Sequence, residues 1–431
     1  MSVLQRAALC GLALFAIASV WRTAPAYIGL ALCLPGAFAA SWAWRTRAPD
    51  AALLATGAVA VWLLLRIGLQ LGAGIGDASL IDPAGDFRNW LYLLVFMPLA
   101  ALPCAHPLPR VRLLWLLAMA GFCAGITSFL ALNGVAALWS GERLGFHLGR
   151  PLGVGLYAGC FAIVLLFTAR LWWNCSSRWR WPLRIGAIVL IALFVQVVVG
   201  AQNRSNYLGA FAVLVFAVVS AAAQLLRRER HPGHIAAAVV LGFALLTAVV
   251  MPNLDTIGQR SAEERGAVAS ILNEGLQDAP VASVTVRLRL WQFALERFPQ
   301  APLLGHGFGD LSQVIDTGLR PQGGLNAHER YDHLHNSYLQ LLWSQGVTGF
   351  ALWGLLVCLL ALGAARAARA EPARQALMPA MWATLIFIAV WAAFDFRQSH
   401  PDMRFFTILV LLSMRLLAMP GRAPAGAKVA A

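Results

Sequence analysis

The sequence predicts an all-α integral membrane protein with about twelve transmembrane helices and one large helical loop outside the cytoplasm. Hydrophobic residues make up 60% of the 431 positions and charged residues only 12%, whereas soluble domains are about 25% charged. The apolar residues form long stretches that are separated by short Arg-containing segments. So much apolar surface cannot be buried in water, and the bilayer is therefore the expected solvent.

Twelve apolar stretches come close to the ~20 residues that a helix needs to cross the hydrocarbon core. They are residues 4–21, 25–44, 51–72, 89–104, 111–135, 151–172, 183–202, 205–225, 235–251, 336–365, 377–394 and 404–418. The predicted organisation is helices 1–9 in residues 1–251, an outer loop with short helices in 252–335, helices 10–12 in 336–418, and a cytoplasmic tail in 419–431.

The distribution of basic residues predicts the orientation. With the N-terminus in the cytoplasm, the short inner segments carry 18 Lys and Arg and the short outer segments carry seven. Cytoplasmic loops carry such an excess, so both termini are expected inside and residues 252–335 outside. The net charge of +14 then reflects membrane orientation, and we expect contacts with membrane lipids and none with nucleic acid.

The outer loop is long enough to suggest a function of its own. Ser261 and Glu264 form a capping-box pattern that predicts a helix to about Gln277. A second helix is predicted from Ser283 to Phe298, where Pro299 stops it. One face of that helix is apolar and is expected to lie on the membrane surface or on the helix bundle. Its residues are Val284, Leu288, Trp291, Leu295 and Phe298.

Several arginines stand at positions where they could bind an anion. Arg287 and Arg289 are about 200° apart on the second loop helix, so only one of them can face a given ligand. Either one could instead be a solvated arginine that snorkels at the interface. Arg204 begins a predicted span, where the helix N-terminus also attracts anions. Arg66 lies inside the third span and either snorkels to the headgroups or is functional. Arg397 follows the eleventh span beside Asp395, and these two either pair with each other or join the site.

The loop ends in a histidine-rich segment that runs directly into a span. His328, His333 and His335 admit a metal site, but spacings of five and two fit no standard zinc motif. The favoured alternative is that one histidine acts as a base at the membrane surface. Residues 336–365 would make about 45 Å of helix, longer than the ~30 Å hydrocarbon core. His335 is therefore expected at the outer membrane edge, at the start of a helix.

Three motifs resemble those of the O-antigen ligase family. His335-Asn336, nine residues and then Gly346-Val-Thr-Gly349 resemble its His-(Asn/Ser/Gln)-x9-Gly-x-x-Gly signature. Residues 204–208 are similar to its Arg-x3-Leu motif. Residues 287–291 and 305–307 are similar to its Arg…Trp…Pro…Gly-x-Gly stretch. The resemblance covers the long-loop half of the chain by motif and the rest by topology.

The resemblance implies a GT-C-like, metal-independent, inverting glycosyltransferase without a cofactor in the bacterial inner membrane. It would transfer a polysaccharide from undecaprenyl pyrophosphate to a lipid A-core sugar on the periplasmic face. His335 would be the catalytic base, and Arg204 and Arg287, with Arg289 in reserve, would bind the pyrophosphate. Supporting residues would be Asn336, Gly346, Gly349, Arg66, His333, Asp395 and Arg397.

Three other functions remain open at this point. A protein O-oligosaccharyltransferase shares the histidine motif, and an O-antigen polymerase carries a looser version of it. A transporter of lipid-linked sugars also fits twelve spans, although Arg66 is the one clear charge inside a predicted span. A metallohydrolase using the three loop histidines is the weakest of the three.

Overall fold

The computed structural model describes residues 3–42, 50–102, 107–146, 148, 150–174, 176–226, 254–326, 328–397 and 400–419. The regular structure of these residues is helical, with one isolated β-bridge between Ile81 and Asp310. The all-α prediction is confirmed for this part of the chain. The predicted span at 235–251 and the predicted tail beyond residue 419 lie outside the described residues.

The α-helices follow the predicted spans closely in most of the chain. In chain order they are α1 Val3–Ala18, α2 Thr23–Trp42, α3 Ala51–Ala73, α4 Pro83–Tyr92, α5 Phe96–Ala100, α6 Pro107–Asn133, α7 Pro151–Phe167, α8 Ala169–Trp173, α9 Arg180–Gly200, α10 Arg204–Leu226, α11 Leu254–Glu274, α12 Ser283–Arg297, α13 Ser312–Gly318, α14 Ser337–Ala370, α15 Pro372–Gln375, α16 Met378–Ala392 and α17 Pro401–Ala418.

Seven helical segments of the described chain are long and apolar enough to cross a membrane. They lie in α2, α3, α6, α9, α10, α14 and the α15–α16 pair. Two further apolar helices, α1 and α7, are shorter. These helices support a multi-pass membrane protein, whereas the predicted number of twelve spans is not confirmed.

The predicted span at 89–104 is wrong as a single helix. The chain there forms α4, a 3-10 turn at Leu93–Val95 and the short α5. Pro98 has no backbone N–H to continue a helix. The Arg110 side chain donates to the carbonyls of Leu99 and Leu102, at 3.2 and 2.9 Å, and so satisfies acceptors that the helix end exposes.

The outer loop contains both predicted helices, with one corrected start and one corrected face. The first begins at Leu254, so Ser261 lies inside it and the predicted capping box is wrong. The second, α12, agrees with the prediction to one residue. Its buried face, however, includes Val286, Leu290 and Phe293. The predicted apolar stripe is the more open side, where Leu295 is 57% exposed.

Arg66 attaches the outer loop to the membrane helices. Its guanidinium donates to the carbonyls of Leu304 at 2.7 Å, Ile75 at 2.9 Å and Gly305 at 3.0 Å, and the side chain is fully buried. These bonds correct the predicted snorkelling of Arg66 to the headgroups, whereas its supporting role at the site stays a prediction. Its charge is solvated by loop carbonyls instead.

Gly346 interrupts α14 with a backbone φ of +66°. A Cβ at this position would lie 2.2 Å from the carbonyl oxygen of Leu303, so only glycine lets the loop pass so close to the helix. Gly349 is also tightly enclosed, because its Cβ would lie 2.8 Å from Trp62 Nε1. The two glycines therefore position the outer part of α14, which begins just after His335.

Candidate functional site

His335 occupies the last turn of the outer loop before α14. Its φ of +50° is in the left-handed region, which non-glycine residues rarely adopt. The turn is held by side chains on both sides. Gln340 Oε1 accepts the Leu334 N–H at 3.1 Å, and Trp291 Nε1 donates to the Leu334 carbonyl at 3.0 Å. His333 Nδ1 accepts the His335 N–H at 3.1 Å.

Asn336 forms the N-cap of the helix that follows. Its Oδ1 accepts the N–H groups of Tyr338 at 2.9 Å and Leu339 at 3.0 Å, which otherwise have no intrahelical partner. Asn336 therefore acts through the backbone and fixes where α14 begins. Capping of α14 therefore explains why an asparagine follows the histidine in the His-Asn motif.

Asp395 brings a carboxylate to the same place from the end of α16. Ser337 Oγ donates to the Asp395 carbonyl at 2.6 Å, and the Phe396 N–H donates to Asp395 Oδ1 at 2.8 Å. Asp395 is fully buried, and its Oδ2 has no hydrogen-bond partner in the described structure. His333, His335 and Asp395 each present a ligand atom within 4.8 Å of the others.

Burial decides the charge state of these three side chains. Burial lowers the pKa of His335 well below its usual value, and the charges of His333 and Arg287 act in the same direction. Burial likewise lowers the pKa of His333 to about 3, assisted by His400 and Arg397. The pKa of Asp395 is raised to about 6, because burial outweighs the opposing Arg287 charge. Both histidines are therefore neutral at pH 7.

The surroundings of the cluster are strongly basic. Arg287 and Arg397 act electrostatically on all three side chains, Arg143 acts on Asp395, and Arg150 acts on His333. These arginines come from α12, from the segment after α16, and from the segment between α6 and α7. Such a field favours an anion beside the three side chains.

Sequence reasoning missed Arg143 and Arg150. Their segment is docked on the C-terminal end of α9: the Leu144 N–H donates to the Gly200 carbonyl at 3.0 Å, and Arg143 Nε donates to the Ala201 carbonyl at 3.3 Å. A usable signal was present, because both are among the seven arginines on the outer side, where basic residues are disfavoured.

Arg204 begins α10, as predicted. A Cβ on Gly209 would lie 2.7 Å from the ring of Phe387, so α10 and α16 are in close contact about one turn beyond Arg204. The turn before α10 contains Ala201, the residue that Arg143 contacts. Arg204 thus follows the backbone partner of Arg143 by three residues in the chain.

Arg289 is corrected as a ligand candidate. Its guanidinium donates to the carbonyls of Leu276 at 2.8 Å, Gln277 at 2.9 Å and Ala279 at 3.0 Å, and also to that of Gly324. Because Arg289 is buried and bonded to four main-chain acceptors, it organises the loop. Arg287, on the other side of α12, is the arginine that acts on His335 and Asp395.

The three loop histidines do not form the metal set that the sequence left open. His328 is exposed and is absent from the group that the distances identify, which is His333, His335 and Asp395. That trio has suitable ligand types for a divalent cation. The charges of Arg287, Arg397 and Arg143 oppose a cation there and favour an anionic ligand.

Part of the chain is similar to a known protein family. Residues 190–354 match the family model described as O-Antigen ligase. These residues are an O-antigen ligase family domain. The matched range includes Arg204, Arg287 and His335, whereas Asp395 and Arg397 lie beyond it. The chain thus brings residues from outside the O-antigen ligase match to the candidate site.

A curated relative of this chain is an uncharacterized protein of Haemophilus influenzae. It is 22% identical over 279 residues, which cover 64% of this chain and 65% of the relative. The match therefore spans slightly less than two thirds of the relative's length.

Proposed function

We propose that this protein is an O-antigen ligase that transfers a polysaccharide from undecaprenyl pyrophosphate to a sugar hydroxyl of lipid A-core. The observation that carries the proposal is a neutral histidine, His335, at the start of a long membrane helix and surrounded by arginines. A general base beside a group of arginines that can bind an anion suits a reaction between an alcohol and a sugar diphosphate.

His335 is the proposed general base. Its Nδ1 is fully buried without a hydrogen-bond partner, so Nε2 is assigned as the atom that meets the acceptor hydroxyl. Nε2 takes the hydroxyl proton while the acceptor oxygen bonds to the anomeric carbon. The bond from that carbon to the pyrophosphate oxygen breaks at the same time. A single displacement of this kind inverts the anomeric configuration, which NMR of the product would check.

Asp395 is proposed to stabilise the imidazolium that forms on His335. Its unpartnered Oδ2 is in the same buried cluster, and a carboxylate beside an imidazolium favours the protonated ring. Its raised pKa, about 6, still leaves it mostly ionised at pH 7.

Arginine takes the role that a metal ion has in other diphosphate chemistry. The leaving pyrophosphate carries dense negative charge, which planar guanidinium groups bind with paired hydrogen bonds. Arg204 and Arg287 are the proposed ligands. Arg143, Arg150 and Arg397 supply further positive charge. We propose that this arrangement removes the need for a metal or another cofactor.

The location follows from the orientation predicted by the basic residues. We propose a GT-C-like protein of the bacterial inner membrane, with both termini in the cytoplasm and His335 at the periplasmic surface. Both proposed substrates are amphiphiles that reach that surface within the membrane. A lipid-linked sugar transporter is less well supported, because the buried charged cluster lies at the outer ends of helices rather than along a path between them.

Transfer by the purified protein tests the proposal. Undecaprenyl-pyrophosphate glycan and lipid A-core are supplied in detergent with EDTA. Wild type and His328→Ala are expected to form glycosylated lipid A-core, while His335→Ala loses about 10²–10⁴-fold in rate. His328 is the matched control, because it is an exposed histidine of the same loop.

Two outcomes would count against the ligase. Lengthening of the donor glycan without transfer to lipid A-core would identify a polymerase, which uses the same chemistry on another acceptor. Activity that appears only when EDTA is replaced by a divalent metal would contradict the arginine mechanism.

A further inference from the structure

His333 is the one ring of the cluster that contacts the backbone of the proposed base. Its Nδ1 accepts the His335 N–H at 3.1 Å. The two imidazoles lie 4.2 Å apart at an interplanar angle of 73°. The rings of Phe396 and His400 also pack against His333, with centroids 5.8 and 5.9 Å from that of His333 and interplanar angles of 65° and 81°. With only 6% of its surface exposed, His333 has little freedom to move.

The hydrogen bond from the His335 N–H to His333 Nδ1 supports a rare backbone conformation at His335. His335 has a φ of +50°, a conformation that non-glycine residues rarely adopt. A partner for its N–H stabilises this conformation against the extended alternatives, in which the N–H would point elsewhere. The direction of the His335 side chain depends on that backbone conformation.

We propose that His333 is a positioning residue, whose Nδ1 fixes the left-handed backbone of His335 and so aims its imidazole at the acceptor hydroxyl. This role rests on the proposed function of His335. It assigns to His333 the separate task of holding the His335 backbone. It also fixes the tautomer of His333. An Nδ1 that accepts a hydrogen bond carries no proton, so the proton of the neutral ring is on Nε2, which lies 3.6 Å from Asp332 Oδ1.

The protein itself shows which substitution should preserve the bond. Asparagine and aspartate accept the N–H two residues ahead in Asx turns. The same loop contains two of them: Asn326 Oδ1 accepts from His328 at 3.1 Å, and Asp310 Oδ1 accepts from Ser312 at 2.7 Å. Asparagine at 333 would repeat the bond without an imidazole, whereas phenylalanine would fill the volume without an acceptor.

The first experiment compares His333→Asn, His333→Phe and wild type in the transfer assay. We expect His333→Phe to lower kcat by about 10–100-fold, as small misplacements of catalytic groups do, with KM for the lipid donor little changed. His333→Asn is expected to stay within about threefold of wild type. His328→Phe on the same loop is the matched control and should leave transfer unchanged.

Two results would overturn the positioning role. If His333→Asn is as inactive as His333→Phe, the imidazole has a chemical task that an acceptor alone cannot replace. If His333→Phe is as active as wild type, the hydrogen bond does not control the base.

A second measurement does not depend on transfer. Nitrogen-15 NMR of histidine-labelled protein in detergent at pH 7 should show one neutral ring with Nδ1 unprotonated and hydrogen-bonded, and this signal should disappear in His333→Asn. A His333 signal with its proton on Nδ1 would contradict the proposal. If wild type transfers no glycan, the proposed function fails. The spectrum still tests whether His333 Nδ1 accepts the hydrogen bond from the His335 N–H.

Discussion

His335 combines the proposed catalytic side chain with a backbone conformation that non-glycine residues rarely adopt. A φ of +50° is tolerated best by glycine and asparagine. We therefore expect His335→Asn to abolish transfer while keeping or raising the melting temperature, by up to a few degrees for a gain of about 1 kcal/mol. Thermal unfolding in detergent measures this, with His328→Asn as control. A clear fall in melting temperature would show that the His335 ring is needed for folding.

The pH dependence of transfer should report Asp395 rather than His335. The pKa of His335 is far below its usual value, so this base stays neutral on mild acidification. Asp395, with a pKa of about 6, becomes protonated as the pH falls and can no longer stabilise the imidazolium. We expect kcat/KM to decline as the pH drops through about 6. Asp395→Asn should be slower throughout and flat in this range. An acid limb that persists in Asp395→Asn would assign it to another group.

At the scale of elements, α14 depends on one glycine outside the helical region. Gly346 has a φ of +66°, and a Cβ there would lie 2.2 Å from a loop carbonyl. Gly346→Ala should therefore destabilise by several kcal/mol and weaken the docking of the outer loop. A Cβ at Gly354 in the same helix would have no atom within 4 Å. Gly354→Ala should therefore leave the stability of the protein unchanged or raise it slightly. Thermal unfolding of both variants checks this, and equal stability would show that the kink is not required.

At the scale of the whole molecule, arginines from separate elements create a positive potential around His333, His335 and Asp395. Arg143 belongs to the segment between α6 and α7, far in sequence from His335, yet its charge reaches Asp395. We expect Arg143→Gln to raise KM for the pyrophosphate donor by about 5–10-fold, which corresponds to about 1 kcal/mol. Arg265→Gln changes an exposed arginine of α11 and should have no effect. An unchanged KM in Arg143→Gln would place the pyrophosphate elsewhere.

The sequence predicted His335 and Arg287 as site residues because both stand in motifs with a defined spacing. It also explained why Arg287 and Arg289 could not serve one ligand, since their angular separation follows from helix geometry. It could not tell which one is bonded to loop carbonyls, because the carbonyls of residues 276–279 and 324 reach Arg289 only after the loop has folded. For the same reason, an arginine such as Arg66 inside an apolar stretch looked either functional or snorkelling.

Composition and periodicity by themselves determined the membrane class, most helix bounds and the position of the histidine at the start of α14, because apolar run length and helix caps are local properties. Tertiary structure alone decided that Asp395 lies beside His335 and that Arg143 acts on Asp395 and Arg150 on His333. It also decided that α12 buries a different face and that burial is the largest cause of the pKa shifts in the cluster. These are contacts between segments far apart in the chain, and residue spacing within one segment carries no information about them.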